Sequence, residues 1–212
     1  MKGSLPAATV ARLPLYLRSL IEMDADRTTC SSDDLALLAG VNPAQVRKDL
    51  SYLAAPGVRG VGYNRSMLRN LLRRELGLTR CYRVAIVGAG NLGRALTVYP
   101  GFLESGFEIV ALFDIDGMKV GDLVNSVLVS SMEDLEQTVR DQNVSIGIIA
   151  TPAAAAQGVA DRLVAAGVLS ILNFAPAVLK VCGEAHVRRV DLSTELQILA
   201  YHLSVGDYVH SE

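Results

Sequence analysis

The feature that most constrains this chain is a short apolar run that leads directly into three spaced glycines. Residues 83–87 read Arg-Val-Ala-Ile-Val, a pattern typical of a strand buried on both faces. Residues 88–93 read Gly-Ala-Gly-Asn-Leu-Gly, and a helical pattern follows. A Gly-x-Gly-x-x-Gly motif alone is weak evidence. Between a strand and a helix, however, it predicts the turn that holds a dinucleotide pyrophosphate.

Each glycine of this turn has a predicted role. Gly88 permits the tight turn, Gly90 lets the pyrophosphate approach the backbone, and Gly93 lets the helix pack against the strand. Because the amides at the start of the helix face the phosphates, the first helical residues are also predicted to contact the cofactor. They are Asn91, Leu92, Arg94 and Ala95.

An acidic residue follows the next predicted strand, which covers residues 107–113. Asp114 lies 21 residues beyond Gly93, where a carboxylate accepts hydrogen bonds from the adenosine ribose hydroxyls. A carboxylate there also repels a 2′-phosphate, so the sequence favours NAD(H) over NADP(H). Asp116 competes for the same role.

Strand and helix patterns continue to alternate after this point. Residues 131–134 predict a helix cap, 144–150 a buried strand, 153–166 a helix closed by Gly167, and 168–172 another strand. Repeated βα units predict a doubly wound parallel sheet of the Rossmann type, with its ligand at the carboxyl ends of the strands. Candidate ligand groups at two strand ends are Thr151, Pro152, Asn173 and Phe174, although the prolines in these segments could simply shape turns.

Charge separates the first part of the chain from the rest. Residues 1–80 hold 12 Lys and Arg against 7 Asp and Glu, whereas residues 81–212 hold 8 against 15. The first part is therefore net positive and the second net negative. This asymmetry favours a polyanionic partner for the first part, although many basic faces are merely solvated.

The basic part contains two short predicted helices joined by a glycine-containing turn. Ser31 and Asp34 resemble a capping box before a helix that ends at Gly40. Asn42 caps the second helix, Pro43 fits its first position, and Gln45 stands where it could close another capping box. This arrangement predicts a helix-turn-helix, with an ordinary helical hairpin as the alternative. The candidate DNA contacts on the second helix are Gln45, Arg47, Lys48, Ser51 and Tyr52.

Residues 57–63 are rich in glycine and alternate in polarity, which predicts a hairpin or wing with Arg59 at its tip. An arginine in that position suits the negative potential of a narrow minor groove. Residues 66–76 then predict an amphipathic helix with a basic face that ends at Gly77.

Several classes of protein are disfavoured by the sequence. No stretch is long and apolar enough to span a bilayer, and residues 1–10 lack a secretory pattern, so we expect a cytoplasmic protein. Cys30, Cys81 and Cys182 are far apart and form no CxxC pair, so neither a disulfide framework nor a metal site is expected.

The last predicted helix, about residues 193–205, is strongly apolar on one face. Leu196, Leu199, Ala200 and Leu203 form this stripe. It could complete the core of its own domain or dock on a second subunit.

With these segments assembled, the chain resembles the Rex family of bacterial redox-sensing repressors. The resemblance implies a winged-helix DNA-binding domain over residues 1–78, a Rossmann domain binding NADH and NAD⁺ over 79–192, and a dimerisation helix over 193–212 that is exchanged in a homodimer. It also implies binding to a palindromic operator, favoured by NAD⁺ and released by NADH. The segments that carry the resemblance are residues 16–18, 45–52, 59–63, 86–93, 99–102 and 171–176.

The resemblance further implies a polar network that couples the cofactor to the DNA-binding domain. Its members would be Arg18, Tyr99 and Asp191 of the partner subunit. This chain departs from some relatives in two places. Residues 53–57 read Leu-Ala-Ala-Pro-Gly where a Gly-Ser-aromatic segment is common, and Leu192 stands where some members have a phenylalanine beside the nicotinamide.

Two other classes of function remain open from the residues. An NAD-dependent dehydrogenase with a basic appendage would need a general acid or base near the nicotinamide. His186, His202 and His210 all occur late and form no recognisable catalytic constellation. The third class is a nucleotide-binding module whose basic domain binds protein.

Overall fold

The chain divides into two compact units, Met1–Arg80 and Cys81–Glu212. The computed structural model describes residues 5–24, 26–55 and 57–209. Each unit has its own buried core.

The described residues of the first unit form four helices and a two-stranded antiparallel sheet. Its elements are α1 Ala7–Glu22, β1 Thr29–Cys30, α2 Ser32–Ala39, α3 Pro43–Tyr52, β2 Tyr63–Asn64 and α4 Arg65–Glu75. Between α3 and β2, Val58 pairs with Gly62 in an antiparallel bridge that closes the predicted wing. The unit therefore has the order of elements expected of a winged helix-turn-helix.

Local capping explains where the two short helices begin and end. Ser31 accepts a hydrogen bond from the Asp34 amide while the Asp34 carboxylate accepts one from the Ser31 amide, which confirms the capping box of α2. Gly40 ends that helix at φ 65°. The side chain of Asn42 caps α3 through the Ala44 amide. The expectation that Gln45 closes a second capping box is wrong, because its side-chain amide donates to the buried carboxylate of Asp49, one turn further along α3.

The second unit is a seven-stranded sheet between helices. Its strands run in the order β5-β6-β4-β3-β7-β8-β9, and every adjacent pair is parallel except β5 and β6. The strands are β3 Tyr82–Val87, β4 Phe107–Asp114, β5 Leu123–Val124, β6 Val127–Ser131, β7 Ile146–Ile149, β8 Ser170–Asn173 and β9 His186–Arg189.

The direction of winding reverses at β3, since β4 lies on one side of it and β7 on the other. The crevice outside the carboxyl ends of these strands is the ligand-binding position of doubly wound sheets. This confirms the predicted Rossmann architecture. The helices of the unit are α5 Asn91–Thr97, α6 Pro100–Glu104, α7 Leu135–Asp141, α8 Ala153–Ala165 and α9 Leu192–Val209, with a 3₁₀ turn at Met132–Asp134.

The side chains of β3 point alternately to the two faces of the sheet and pack into both cores of the unit. Ala85 and Val87 pack into the core that also contains buried residues of α7 and α8. Val84 and Ile86 point to the opposite core, against which α5 and α6 contribute partly buried side chains. This two-sided burial is the reason for the nearly continuous apolar run in the sequence.

The structure adds elements that the sequence pattern did not predict. They include β1, β5, β6 and β9 and the short helix α6. The last helix begins one residue earlier than predicted, at Leu192. All of its described side chains, residues 192–204, are exposed, so the alternative that it completes the core of its own domain is wrong.

No helix within the described ranges combines the length and the apolarity needed to cross a membrane.

The ion pair that joins α7 to α8 generates a prediction about acid stability. Both guanidinium contacts of Arg162 to Glu136 measure 2.6 Å, and this hydrogen bonding lowers the pKa of Glu136 to about 2 from its ordinary 4.5. Because the folded-state pKa is the lower one, the pair stabilises the fold above pH 4.5 and loses this contribution as the pH falls towards 2.

We expect Glu136→Gln to lower the free energy of unfolding at pH 7 by about 1 kcal/mol, since the side chains are about one-third exposed. The variant should also lose less stability than the wild type between pH 5 and pH 3. Urea unfolding across this range measures both effects. The exposed Glu133→Gln is the control, and an equal slope in both variants would contradict the assignment.

Candidate functional site

The backbone of the glycine turn after β3 lies in close contact with neighbouring backbone segments. Gly88 has φ 108°, and a Cβ there would lie 2.5 Å from the Ala150 carbonyl oxygen. A Cβ on Gly93 would lie 1.8 Å from the Gly88 carbonyl oxygen. Gly90, in contrast, has an ordinary φ of −80° and open space around the position of a Cβ. Two glycines are therefore required by the fold, whereas the third leaves an accessible stretch of backbone.

Asp114 lies at the end of β4 and is bonded to this turn. Its carboxylate accepts the Ala89 amide at 2.8 Å, the Asp116 amide at 2.9 Å and the Lys119 ammonium at 3.1 Å. Burial alone raises the pKa of Asp114, but these hydrogen bonds outweigh it and hold the pKa below the ordinary value. The carboxylate is therefore ionised at neutral pH beside the glycine turn. Asp116, the competitor for this role, lines the same cavity and is more exposed.

A cavity of about 620 Å³ lies at the carboxyl ends of β3, β4 and β7. It brings together eight of the residues considered from the sequence, namely Gly88, Gly90, Asn91, Leu92, Asp114, Asp116, Thr151 and Pro152.

The Thr151 hydroxyl is the feature of this cavity that most directly indicates a ligand. Among the described residues, its Oγ1 is a buried side-chain oxygen without a hydrogen-bond partner. Buried polar groups are normally paired, so a hydroxyl of this kind is suited to a hydrogen bond with a polar ligand. Together with the open backbone at Gly90 and the ionised Asp114, it gives a cavity that fits a dinucleotide.

Other predicted cofactor contacts have different surroundings in this chain. Arg94 donates to the Ala89 carbonyl and pairs with Asp122, and Ala95 is exposed outside the cavity lining. The buried Asn173 side chain bonds only within its own loop among the described residues, to the backbone of Ala175 and Ala177. Phe174 is partly buried against the sheet core. Their predicted contacts with the cofactor remain predictions.

Several lining residues were not predicted from the sequence. Ile115 is 90% exposed at the tip of the loop after β4, and Met132 faces the cavity from the 3₁₀ turn. Lys119 bridges Asp114 and Asp116. The signal available for Ile115 was its position directly after Asp114, the acid predicted to bind the ribose. Met132 and Lys119 reach the cavity only through the folding of loops that carry no periodic pattern.

In the first unit, α3 presents polar side chains on its outer face. Arg47, Lys48 and Ser51 are exposed and Tyr52 is 46% exposed, although the Ser51 hydroxyl donates to the Lys48 carbonyl oxygen. Gln45 is half-buried and donates its side-chain amide to Asp49 at 2.9 Å.

The wing lies beside this face. Residues 57–63, Arg47 and residues 31–33 line a groove of about 490 Å³, and Arg59 is exposed at the turn of the wing. Before the wing, Ala54 has φ 50°, a left-handed conformation that favours glycine and is strained for alanine. The departure noted at residues 53–57 thus has a local conformational cost. Pro56 lies outside the described residues.

The three predicted coupling residues are all accessible at their side chains. Arg18 is 78% exposed and paired with Glu22, and Tyr99 is 56% exposed with its ring edge-to-face on Phe102. Asp191 caps the start of α9 through Ser193 and pairs with Arg189.

The histidines considered for the enzyme alternative lie on different elements in the described part of the chain. His186 lies in β9, and His202 packs edge-to-face against Tyr201 on the exposed helix α9. His210 lies outside the described residues. Within the ranges that the structure describes, no group of three or more His, Cys, Asp or Glu is arranged to hold a metal ion.

Comparisons with known proteins match both units. A family model described as "CoA binding domain" matches residues 79–177, and one described as "Putative DNA-binding protein N-terminus" matches residues 4–51. The chain is 56% identical over 199 residues to the redox-sensing transcriptional repressor Rex of Streptomyces coelicolor, which covers 93% of this chain and 77% of the relative. It is 50% identical to the protein of that name from Carboxydothermus hydrogenoformans, over 96% of this chain and 99% of the relative.

Solved structures give the same result. A crystal structure of RSP, a Rex-family repressor, has a TM-score of 0.88 and 37% identity, and covers 97% of this chain and 96% of that one. RSP in complex with NAD⁺ and operator DNA also matches with a TM-score of 0.88, over 98% and 96% of the two chains. RSP in complex with NADH has a TM-score of 0.87 and covers 97% of both.

The different surroundings of the three glycines predict two different variant phenotypes. Gly93→Ala forces a Cβ into the Gly88 carbonyl oxygen and should destabilise the second unit by about 2–3 kcal/mol. Gly90→Ala has room for its methyl group, so its free energy of unfolding should stay within about 0.5 kcal/mol of the wild type. It should nevertheless bind NADH roughly tenfold more weakly, because the methyl group occupies the approach of the pyrophosphate.

Thermal unfolding and NADH titration of the two variants test this contrast. If Gly90→Ala bound NADH as tightly as the wild type while remaining folded, the pyrophosphate would not lie against this turn.

Proposed function

Because the chain belongs to the Rex family of redox-sensing transcriptional repressors, we propose that its second unit binds NAD(H) at the glycine turn and its first unit reads operator DNA through α3. The protein is a DNA-binding repressor that senses the NADH/NAD⁺ pool: it binds its operator when NADH is low and releases it when NADH is high. The observation that carries the site assignment is the orphaned Thr151 hydroxyl beside the open Gly90 backbone and the ionised Asp114.

The cofactor site is assigned to residues of the cavity in the second unit. The backbone at Gly88, Gly90 and Asn91 would face the pyrophosphate, Asp114 the ribose hydroxyls of the adenosine half, and Thr151 a polar group farther along the dinucleotide. Ile115 and Met132 would contact the adenine as apolar neighbours. This assignment fits the chemistry of each group: amides for phosphate, a carboxylate for a diol and apolar side chains for a base.

The DNA site is assigned to the outer face of α3 and to the wing. Arg47 and Lys48 would contact phosphates or guanine in the major groove, Gln45 an adenine, and Arg59 the minor groove. Ser51 and Tyr52 would contact the backbone of the duplex. The net positive charge of residues 1–80 supports this assignment, since phosphate contacts supply most of the affinity for DNA.

We also propose that the protein is a homodimer in which α9 packs on the partner. All described side chains of α9 are exposed, including Leu192, Leu196, Leu199 and Leu203, which repeat at helical spacing. A helix with such a stripe needs an apolar surface to bury it.

The second unit offers such a surface. A groove of about 590 Å³ lies on the sheet face that carries α5 and α6, and it is lined by Ile146, Ile148 and Leu172 of β7 and β8 together with Tyr99 and Phe102. A second copy of the chain would provide both a surface for α9 and a second recognition helix for a palindromic operator. In that dimer, Arg18 and Tyr99 would meet Asp191 of the partner subunit.

The proposed sensing mechanism is a two-state dimer. The cofactor can bias the spacing of the recognition helices only if it binds one arrangement more tightly than the other. The oxidised nicotinamide carries a positive charge and the reduced ring does not, so an arrangement that buries the ring should favour NADH. That arrangement would no longer match two half-sites about one helical turn apart.

The enzyme alternative is less well supported. The relatives are named as regulators, and the described histidines form no catalytic cluster. We therefore propose that the chain catalyses no hydride transfer and works in the cytoplasm on operator DNA. Turnover of NAD⁺ with a panel of alcohols and hydroxy acids would contradict this.

Operator binding titrated in parallel with NADH and NAD⁺ tests the proposed function. We expect NADH to weaken operator binding in a saturable way, by roughly tenfold or more, and NAD⁺ to permit it. Gly90→Ala is the matched control, because it should still bind DNA but require more NADH for release. Binding that ignores the NADH/NAD⁺ ratio would refute the sensor, and absence of salt-dependent duplex binding would favour a protein-binding module instead.

The dimer generates a separate prediction. Leu199→Glu places a carboxylate in the centre of the apolar stripe of α9 and should shift the protein from dimer to monomer in sedimentation velocity. Gln197→Glu introduces the same group on the opposite side of the helix and should leave the mass unchanged. If both variants sediment like the wild type, the stripe is not the dimer contact.

A further inference from the structure

We propose that Asp49 is a positioning residue for base reading, because its buried carboxylate fixes the orientation of the Gln45 side-chain amide on the recognition helix. The proposal goes one step beyond the function above and rests on it, since it assumes that α3 lies in the major groove. Asp49 was not among the DNA-contacting residues predicted from the sequence, and its own carboxylate has no access to DNA.

The carboxylate of Asp49 is fully buried between α1 and α3. From α1 it accepts the Thr9 hydroxyl at 2.9 Å, the Tyr16 hydroxyl at 2.7 Å, and two guanidinium hydrogens of Arg12 at 2.6 and 2.9 Å. These three donors follow one face of α1 at helical spacing. The recognition helix is therefore fixed to α1 by a carboxylate that has a charged partner and two hydroxyl donors.

Gln45 provides the remaining hydrogen bond, from its Nε2 to the Asp49 Oδ1 atom at 2.9 Å. An ionised carboxylate can only accept hydrogen bonds, so the nitrogen of the Gln45 amide must face it and the oxygen must point away. Burial raises the pKa of Asp49, but the hydrogen bonds from Arg12, Tyr16, Thr9 and Gln45 outweigh it and lower that pKa, so the group stays ionised at neutral pH.

The amide of Gln45 then keeps two groups for DNA. These are its Oε1 acceptor and the second hydrogen of Nε2. The same pair is what a glutamine needs to bind the N6 amino group and N7 of adenine in the major groove. Asp49 excludes the flipped orientation of the amide, in which the oxygen and the nitrogen of Gln45 exchange places. The amide should therefore bind adenine more selectively than a freely rotating one.

The test measures base preference and uses the full-length protein with NAD⁺. Wild-type protein first selects a palindromic duplex from a randomised pool, and each base pair of the recovered duplex is then replaced in both half-sites. Wild type, Asp49→Asn, Gln45→Ala and the double variant are titrated against this panel. An asparagine at position 49 can donate as well as accept, so it no longer dictates which way the Gln45 amide points.

We expect wild type to prefer adenine at one position of each half-site by roughly tenfold or more. Asp49→Asn and Gln45→Ala should each abolish that preference, and the double variant should lose no more than either single variant. Such non-additivity is the expected signature of a residue that acts through another. The dependence of affinity on salt should stay the same, because Arg47 and Lys48 are unchanged.

Two smaller changes test the same role in case the Asp49→Asn variant does not fold. Tyr16→Phe and Thr9→Val each remove one donor to Asp49 without altering the shape of the side chain, and each should reduce the adenine preference partially. Leu72→Val, a change in the buried core of α4, should lower thermal stability without altering base preference. It therefore distinguishes positioning of Gln45 from general loss of stability.

The outcomes separate this inference from the proposed function. If wild type selects a duplex but Asp49→Asn keeps its full adenine preference, or if the losses from Asp49→Asn and Gln45→Ala add, the role of Asp49 is overturned. An unchanged base preference in Gln45→Ala overturns it as well. Only a failure of wild type to select any duplex would count against the proposed DNA-binding function itself.

Discussion

The rest of the nucleotide-binding unit depends on one close approach, that of the backbone at Gly93 to the backbone at Gly88. A side chain at either position would collide with a carbonyl oxygen, so glycine lets α5 begin immediately after β3. This places the start of α5 at the point where the winding of the sheet reverses and where β4 ends in Asp114. The carboxylate is hydrogen-bonded to the Ala89 amide of the same turn. The geometry of the proposed phosphate and ribose subsites therefore follows from the absence of two Cβ atoms.

The DNA-binding unit depends on a different type of interaction, a buried carboxylate surrounded by donors. Asp49 joins α1 to α3 through charged and hydroxyl groups, in addition to the apolar contacts around Leu13 and Leu50. Apolar packing alone tolerates small rotations of a helix, whereas hydrogen bonds at fixed angles do not. A recognition helix must present its side chains at fixed positions to the groove, so a polar anchor of this kind suits its role.

The last helix, α9, has an apolar stripe that the sequence alone could not assign to a packing partner. Two interpretations of the stripe were open: it completes the core of its own domain, or it docks on a second subunit. The structure removes one of them, because residues 192–204 are all exposed and none contributes to the core of its own unit. The apolar groove on the sheet face that carries α5 and α6 lies in the same unit and has the complementary character. The exposed apolar stripe on the described part of α9 and the apolar groove in the same unit together support the proposed homodimer.

The sequence by itself determined the elements whose signal is local. Short-range patterns predicted the glycine turn, the capping box that begins α2, the glycine that ends α2, and the buried strands β3, β4 and β7. They also predicted that a winged-helix unit precedes a Rossmann unit. Only the tertiary structure decided the contacts between residues that are distant in the chain. In the sequence, Asp49 is not distinguishable from the other charged residues of α3, because its burial depends on the packing of α1. Met132 and Lys119 reach the cavity through loops that have no periodic pattern. Short strands such as β5 and β9 likewise form because neighbouring backbone pairs with them. The physical reason is that caps and turns are stabilised by atoms within a few residues, whereas burial and hydrogen-bond partners are set by packing across the whole unit.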